Sequence, residues 1–92
     1  MITSFKHKGL RDFFETGTKK GIQPDHAPKL KRILDRLHVA QEITDMRFPG
    51  SNLHLLEPKQ ARVWSVSVSG NWRVTFILEN GEARDVYYID YH

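Results

Sequence analysis

The chain has 92 residues, 39% hydrophobic and 27% charged, enough for one folded domain over residues 1–92 and too few for two cores. Lys and Arg number 14 against 11 Asp and Glu, a formal charge of +3, which suits an anionic partner such as nucleic acid without requiring one. Cysteine is absent, so disulfides and thiolate catalysis are excluded. No apolar run approaches the ~18 residues of a membrane helix, and the opening Met-Ile-Thr-Ser-Phe-Lys-His-Lys has no signal-peptide core; the cytoplasm is the expected location.

In chain order, Ile2 to Lys6 are predicted as a short first strand. Leu10, Phe13 and Phe14 fall at helical spacing, with Gly17 as the stop. Thr18-Lys19-Lys20-Gly21 reads as an exposed basic loop. Asp25 is the candidate N-cap of a second, longer helix, with Pro28 in its first turn, where backbone N–H groups are unpaired anyway. Ala27, Leu30, Ile33, Leu34, Leu37 and Ala40 form its apolar face, and Lys29, Lys31, Arg32 and Arg36 point mostly elsewhere. Phe48-Pro49-Gly50-Ser51-Asn52 breaks the helical pattern. From Leu53 the period changes to 2, with Trp64, Val66 and Val68, then Trp72, Val74, Phe76 and Leu78, alternating with polar or smaller residues. Asn80-Gly81 is a strong hairpin signal, and a last strand runs from about Ala83 to the C-terminus. The expected fold is α+β, with two N-terminal helices packed on one face of an antiparallel β-sheet.

Facing residues of an antiparallel pair share a side of the sheet, so the apolar pattern tests the register. A loop of Ser69, Gly70 and Asn71 pairs Val68 with Trp72, Val66 with Val74 and Trp64 with Phe76, keeping the large apolar side chains together. The Asn80-Gly81 turn pairs Glu79 with Glu82 and, counted back, Val74 with Tyr87, Arg73 with Tyr88 and Trp72 with Ile89. This sets Asp85 opposite Phe76 on the core face, a conflict that a bulge near the turn removes. The other face then holds Ser65, Ser67, Arg73, Thr75, Val86, Tyr88 and Asp90, joined by His54 and, if the strand continues, His92. Asp90 is expected one diagonal step from Arg73, ~7–8 Å between backbone positions.

Such a cluster has the inventory for phosphodiester transfer without metal or cofactor. RNA cleavage needs a base for the 2′-OH, an acid for the leaving 5′-oxygen and cationic donors for the charged transition state. Histidine suits either proton role, arginine matches phosphate geometry, and tyrosine stacks or donates. His7, His26 and His38 read as ordinary surface or helix residues, and Trp64 and Trp72 as core. A metal site from His54, Asp90 and His92 is the chemical rival, but no recognised ligand spacing is present and Arg73 beside it would repel a cation.

The opening Met-Ile-Thr-Ser-Phe-Lys-His-Lys-Gly-Leu, the segment Asn71-Trp72-Arg73-Val74-Thr75-Phe76 and the ending Asp90-Tyr91-His92 together resemble HigB, the host-inhibition-of-growth toxins of the RelE/ParE superfamily. The resemblance spans essentially the whole chain. It implies a microbial-RNase-like toxin of a type II toxin–antitoxin system that enters the A site of the 30S ribosomal subunit and cuts mRNA there. It also implies a HigA-type antitoxin with a helix-turn-helix domain, in a heterotetramer with the antitoxin dimeric. By position His54, Arg73, Asp90, Tyr91 and His92 become the functional residues, with Asp90 or His54 as base, His92 as acid and Arg73 on the scissile phosphate. Lys19, Lys20, Lys31 and Arg32 become candidate contacts to RNA or ribosome. HigB toxins can carry a lysine shortly after the His54 position where this chain has Glu57-Pro58; Lys59 or Arg62 is left to supply that charge. Strict alternation turns Tyr91 to the core, so a functional Tyr91 requires a bend in the final residues. The alternative is a ParE-like inhibitor of DNA gyrase, which has no need of proton-transfer groups beside Arg73. A third reading is a nucleic-acid-binding module without toxicity, whose binding would depend strongly on salt.

Overall fold

Alternation after residue 53 builds a meander of β1 (His54–Glu57), β2 (Val63–Ser69), β3 (Trp72–Glu79) and β4 (Glu82–Asp90), antiparallel and in the order β1-β2-β3-β4. The computed structural model describes residues 1–57 and 62–91; Lys59 and His92 lie outside the described residues. Before the sheet come α1 (Lys8–Thr16) and α2 (Ala27–Val39), so the architecture is the expected α+β. Leu10, Phe13, Leu30, Ile33, Leu34 and Leu37 of the helices pack with Val66, Val68, Val74, Phe76, Val86 and Tyr88 of the sheet in one core. Burying a large apolar side chain in this way contributes ~1.5–3 kcal/mol.

Local chemistry sets the helix ends. α1 starts at His7, whose Nδ1 accepts the Leu10 N–H at 2.9 Å, and stops at Gly17, which takes φ 82° and donates its N–H to the Phe13 carbonyl. Gly9 packs so closely on Gly21 that a Cβ there would stand 2.5 Å from the Gly21 carbonyl oxygen. That contact anchors the loop leading to α2. Helical structure then begins at a 3-10 turn, Pro24–His26, one residue ahead of the expected cap. The locked φ of Pro24 starts the turn, so Asp25 sits inside it rather than capping α2.

The β2–β3 register places Trp64 opposite Phe76 and Val66 opposite Val74, as the apolar pattern requires. Val68 departs from expectation. The pairing shifts between Ser67 and Ser69, Ser69 faces Trp72, and the turn is Gly70-Asn71 with Val68 as the extra, buried residue. A bulge therefore achieves the facing that a three-residue loop was expected to supply.

β3 and β4 pair as expected from Glu79–Glu82 through Ile77–Arg84, and then the register slips by one. Asp85 takes φ 54° as the bulged residue. Beyond it Thr75 faces Tyr87, Val74 faces Tyr88, Arg73 faces Ile89 and Trp72 faces Asp90. The N-terminal segment holds this bulge. Instead of a strand it forms two isolated parallel bridges beside β4, Ile2 to Ala83 and Phe5 to Val86, one on each side of Asp85. Between them the Ser4 hydroxyl accepts the Asp85 N–H at 2.9 Å and the Ser4 carbonyl accepts the Val86 N–H at 3.1 Å.

Two outcomes are expected from this arrangement. Ser4→Ala leaves the part-buried Asp85 N–H without its acceptor and lowers stability by about 1–3 kcal/mol; denaturant melts read this, and an unchanged midpoint would show that the bulge does not rest on Ser4. Burial holds the His7 pKa below its usual 6.5, with a hydrogen bond to its own backbone opposing. Because the folded-state value is the lower one, the His7 contribution is present above pH 6.5 and is lost as pH falls through the depressed value. His7→Asn keeps a capping side chain without a titrating ring. The variant is expected to lose less stability than the parent between pH 7.5 and pH 5 in thermal melts; equal losses would remove His7 from the acid response.

Candidate active site

The slip at Asp85 decides which C-terminal side chains meet Arg73. Tyr87 and Ile89 share its face, and Tyr91, whose N–H continues the ladder to the Asn71 carbonyl at 2.8 Å, follows them. Val86, Tyr88 and Asp90 leave from the opposite, helix-covered side. This corrects the expected grouping of Asp90, Tyr88 and Val86 with Arg73: one extra residue in β4 inverts every side chain after it. Tyr91 follows on the Arg73 face through this slip, without the bend in the final residues that alternation called for.

On the Arg73 face, Ser65 and Ser67 of β2 and Thr75 of β3 form a buried floor of small polar groups. The Arg73 guanidinium lies over it and donates from Nη1 to Ser65 Oγ at 3.4 Å and Ser67 Oγ at 3.3 Å. Among the described residues no carboxylate is ion-paired with it. Two long hydrogen bonds to neutral hydroxyls orient the fork without countering its charge, which is left for an anion.

Leu55 faces the core opposite Trp64, so His54 turns to the Arg73 face opposite Ser65. The His54 Nδ1 lies 2.9 Å from the Asn52 carbonyl oxygen. A carbonyl only accepts, so Nδ1 carries a hydrogen, which leaves Nε2 as the position for the imidazole lone pair. Asn52, at φ 46°, donates its side-chain amide to Ser67 Oγ at 3.2 Å. One residue thus orients the imidazole through its main chain and the Arg73 floor through its side chain. Neither Asn52 nor the exposed Tyr87 was singled out from the sequence. The Asn after a Pro-Gly-Ser turn, beside a histidine of a half-open strand, was the available signal for the first.

Asp90 is exposed at the end of β4 on the side of Trp72. The ring of Trp72 stacks on Tyr88 at 4.7 Å and meets His26 edge-on at 5.5 Å. Burial raises the Tyr88 phenol, a bond from the Gln23 N–H opposing. Its hydroxyl accepts that N–H at 3.3 Å and shares a hydrogen bond of 2.6 Å with His26 Nδ1. His38 Nδ1 accepts the Ile2 N–H at 3.2 Å. His7, His26 and His38 are therefore half-buried and hydrogen-bonded within the helix layer and its contacts.

The basic residues divide between the two sides. Arg62, just before β2, lies 3.7 Å from Glu79 at the end of β3. Lys31 pairs with Asp35 at 3.0 Å, and Arg32 lines a cavity of about 270 Å³ with Lys29, Arg36 and Phe48. Both belong to α2, with the sheet between them and Arg73; Lys19 and Lys20 are exposed in the loop after α1. These four are not brought to the Arg73 face. Among the described residues no three His, Asp or Glu side chains gather to hold a metal ion, and no helix is long and apolar enough to cross a membrane.

Comparison with known proteins gives the family. The chain is 38% identical over 92 residues to the endoribonuclease HigB of Proteus vulgaris, covering the whole of both proteins. It is 33% identical over 85 residues to an uncharacterized protein of Haemophilus influenzae, covering 90% of this chain and 84% of that one. The family described as RelE-like toxins of the type II toxin–antitoxin system HigB matches residues 3–92. With the match running through the N-terminal tether, both layers and the Arg73 face, the chain belongs to the HigB family of RelE-like toxins.

Proposed function

We propose that the protein is a ribosome-dependent mRNA endonuclease that cuts in the A site by acid–base chemistry and is restrained by a HigA-type antitoxin. The observation that carries the reading is the pairing, on one sheet face, of a guanidinium without a carboxylate partner among the described residues and an imidazole whose Nε2 is left as acceptor. The Proteus relative's endoribonuclease activity supports it.

In this mechanism His54 Nε2 takes the proton of the ribose 2′-OH. The resulting oxygen attacks the adjacent phosphorus, and the P–O5′ bond breaks as a 2′,3′-cyclic phosphate forms. Arg73 holds the non-bridging oxygens as charge accumulates on them. The leaving 5′-oxygen takes a proton from an acid, the role assigned to His92, and Tyr91 lies on the correct face to contact the substrate. Of the two base candidates the geometry favours His54, because Asp90 leaves from the other side of β4. The ribosome supplies what 92 residues cannot: a strand of mRNA held in the geometry that in-line attack needs. Arg62 is the described candidate for the charge that Glu57-Pro58 does not provide.

The test is incubation of the purified protein with ribosomes carrying a defined mRNA, and with the same mRNA naked, followed by mapping of 5′ ends. Cuts confined to the A-site codon and to ribosome lanes are expected. His54→Ala should reduce kcat by roughly 10²–10⁴-fold, and Arg73→Lys should recover only part of what Arg73→Ala loses, since a point charge lacks the fork. Intact mRNA in every lane, from a protein that still stops growth, would overturn the nuclease reading in favour of gyrase inhibition.

A further inference from the structure

Among the described residues the exposed large hydrophobic side chains are Met1, Val39, Tyr87 and Tyr91, and the two tyrosines lie on one face of the sheet, Tyr87 within β4 and Tyr91 just past its end. Ile89 sits between them and directly opposite Arg73. The tyrosines are therefore the two diagonal neighbours of Arg73, each ~7–8 Å away between backbone positions and within reach of a long side chain. Tyr87 is 36% exposed and Tyr91 43%. Tyr87 faces the buried Thr75 across the ladder, and its ring leans on His7 at 5.9 Å and 57°. It is thus backed on one side and open on another.

We propose that Tyr87 is a stacking platform for an unpaired nucleobase of the mRNA, next to the phosphate that Arg73 holds. The inference rests on the nuclease reading above and adds a binding subsite to it. The occupant follows from the neighbours. An exposed ring one diagonal step along the sheet from a cation that has no carboxylate partner among the described residues suits a unit carrying both a phosphate and a flat aromatic group. Every nucleobase offers such a face, so stacking here adds affinity without reading base identity. His7 fixes the ring from the α1 cap, which lowers the cost of ordering it on binding.

The experiment measures dissociation constants for ribosomes programmed with an A-site codon made uncleavable by 2′-deoxy substitution. The codon carries either normal bases or an abasic unit on one or the other side of the scissile phosphate. Tyr87→Ala is expected to weaken binding about tenfold, and Tyr87→Phe, which keeps the ring, to retain most of the affinity. Removing the stacked base should weaken the parent by a similar factor and Tyr87→Ala no further. Equal binding by Tyr87→Ala and the parent would overturn the proposal. So would losses that multiply when ring and base are both removed, because a merely structural role gives that result. Loss of antitoxin affinity with mRNA binding unchanged would also overturn it, and make Tyr87 a protein contact. Cleavage of the all-ribose mRNA by the parent is followed in parallel: tight binding without cutting sinks the nuclease reading while the dissociation constants still judge the stacking.

Discussion

A single inserted residue at Asp85 governs the two sides of this sheet. Before it β4 pairs with β3 in the register of the Asn80-Gly81 turn, and after it every side chain has changed sides. The cost is a non-glycine residue at φ 54° and a break in the ladder. The N-terminal segment offsets it, with bridges on both sides of the bulge and the Ser4 hydroxyl on the freed N–H. Core composition and site composition follow together. Val86 and Tyr88 complete the core under the helices, and Tyr87, Ile89 and Tyr91 complete the face around Arg73.

The histidines show how one residue type serves two purposes by the sense of a single hydrogen bond. His7 and His38 accept at Nδ1, His7 from the Leu10 N–H that it caps and His38 from the Ile2 N–H of the N-terminal tether, while His26 shares a hydrogen bond with the Tyr88 hydroxyl of β4. His54 meets a carbonyl at Nδ1 instead, which makes that nitrogen the donor and leaves the ring lone pair at Nε2. Small side chains have a comparable effect beneath Arg73. Ser65, Ser67 and Thr75 let a guanidinium lie flat where larger residues would have lifted it, and their hydroxyls orient it without neutralising it.

Period-2 alternation made most of the sheet legible from residue types alone. Trp64 facing Phe76, Val66 facing Val74, His54 turning away from the core and Glu79 facing Glu82 all follow from local pattern and turn chemistry. A carboxylate set against Phe76 marks the bulge at Asp85, but alternation alone does not carry the slip to the residues beyond it. Whether the ladder resumes in or out of step depends on what binds the bulge, and here that is a segment 81 residues away. Asp90 and Tyr91 were assigned to the wrong sides for that reason. The hairpin at Gly70-Asn71 failed in the same way, since Val68 as an extra residue cannot be told from a longer loop by alternation. Asn52 escaped notice because its role lies in two hydrogen bonds from a left-handed turn, which residue type does not announce.

The tether of Ser4 to Asp85 also sets an order of events in time. During synthesis the chain emerges from its N-terminus, so the partner of the opening segment is among the last stretches to appear. Loop closure over so long a separation comes late and is slow compared with formation of the helices. Until it happens the bulge at Asp85 lacks the Ser4 bond and the bridges on either side of it. A nascent chain can therefore have its helices and hairpins in place while the Arg73 face is still unfinished, and that face is completed as a late folding step.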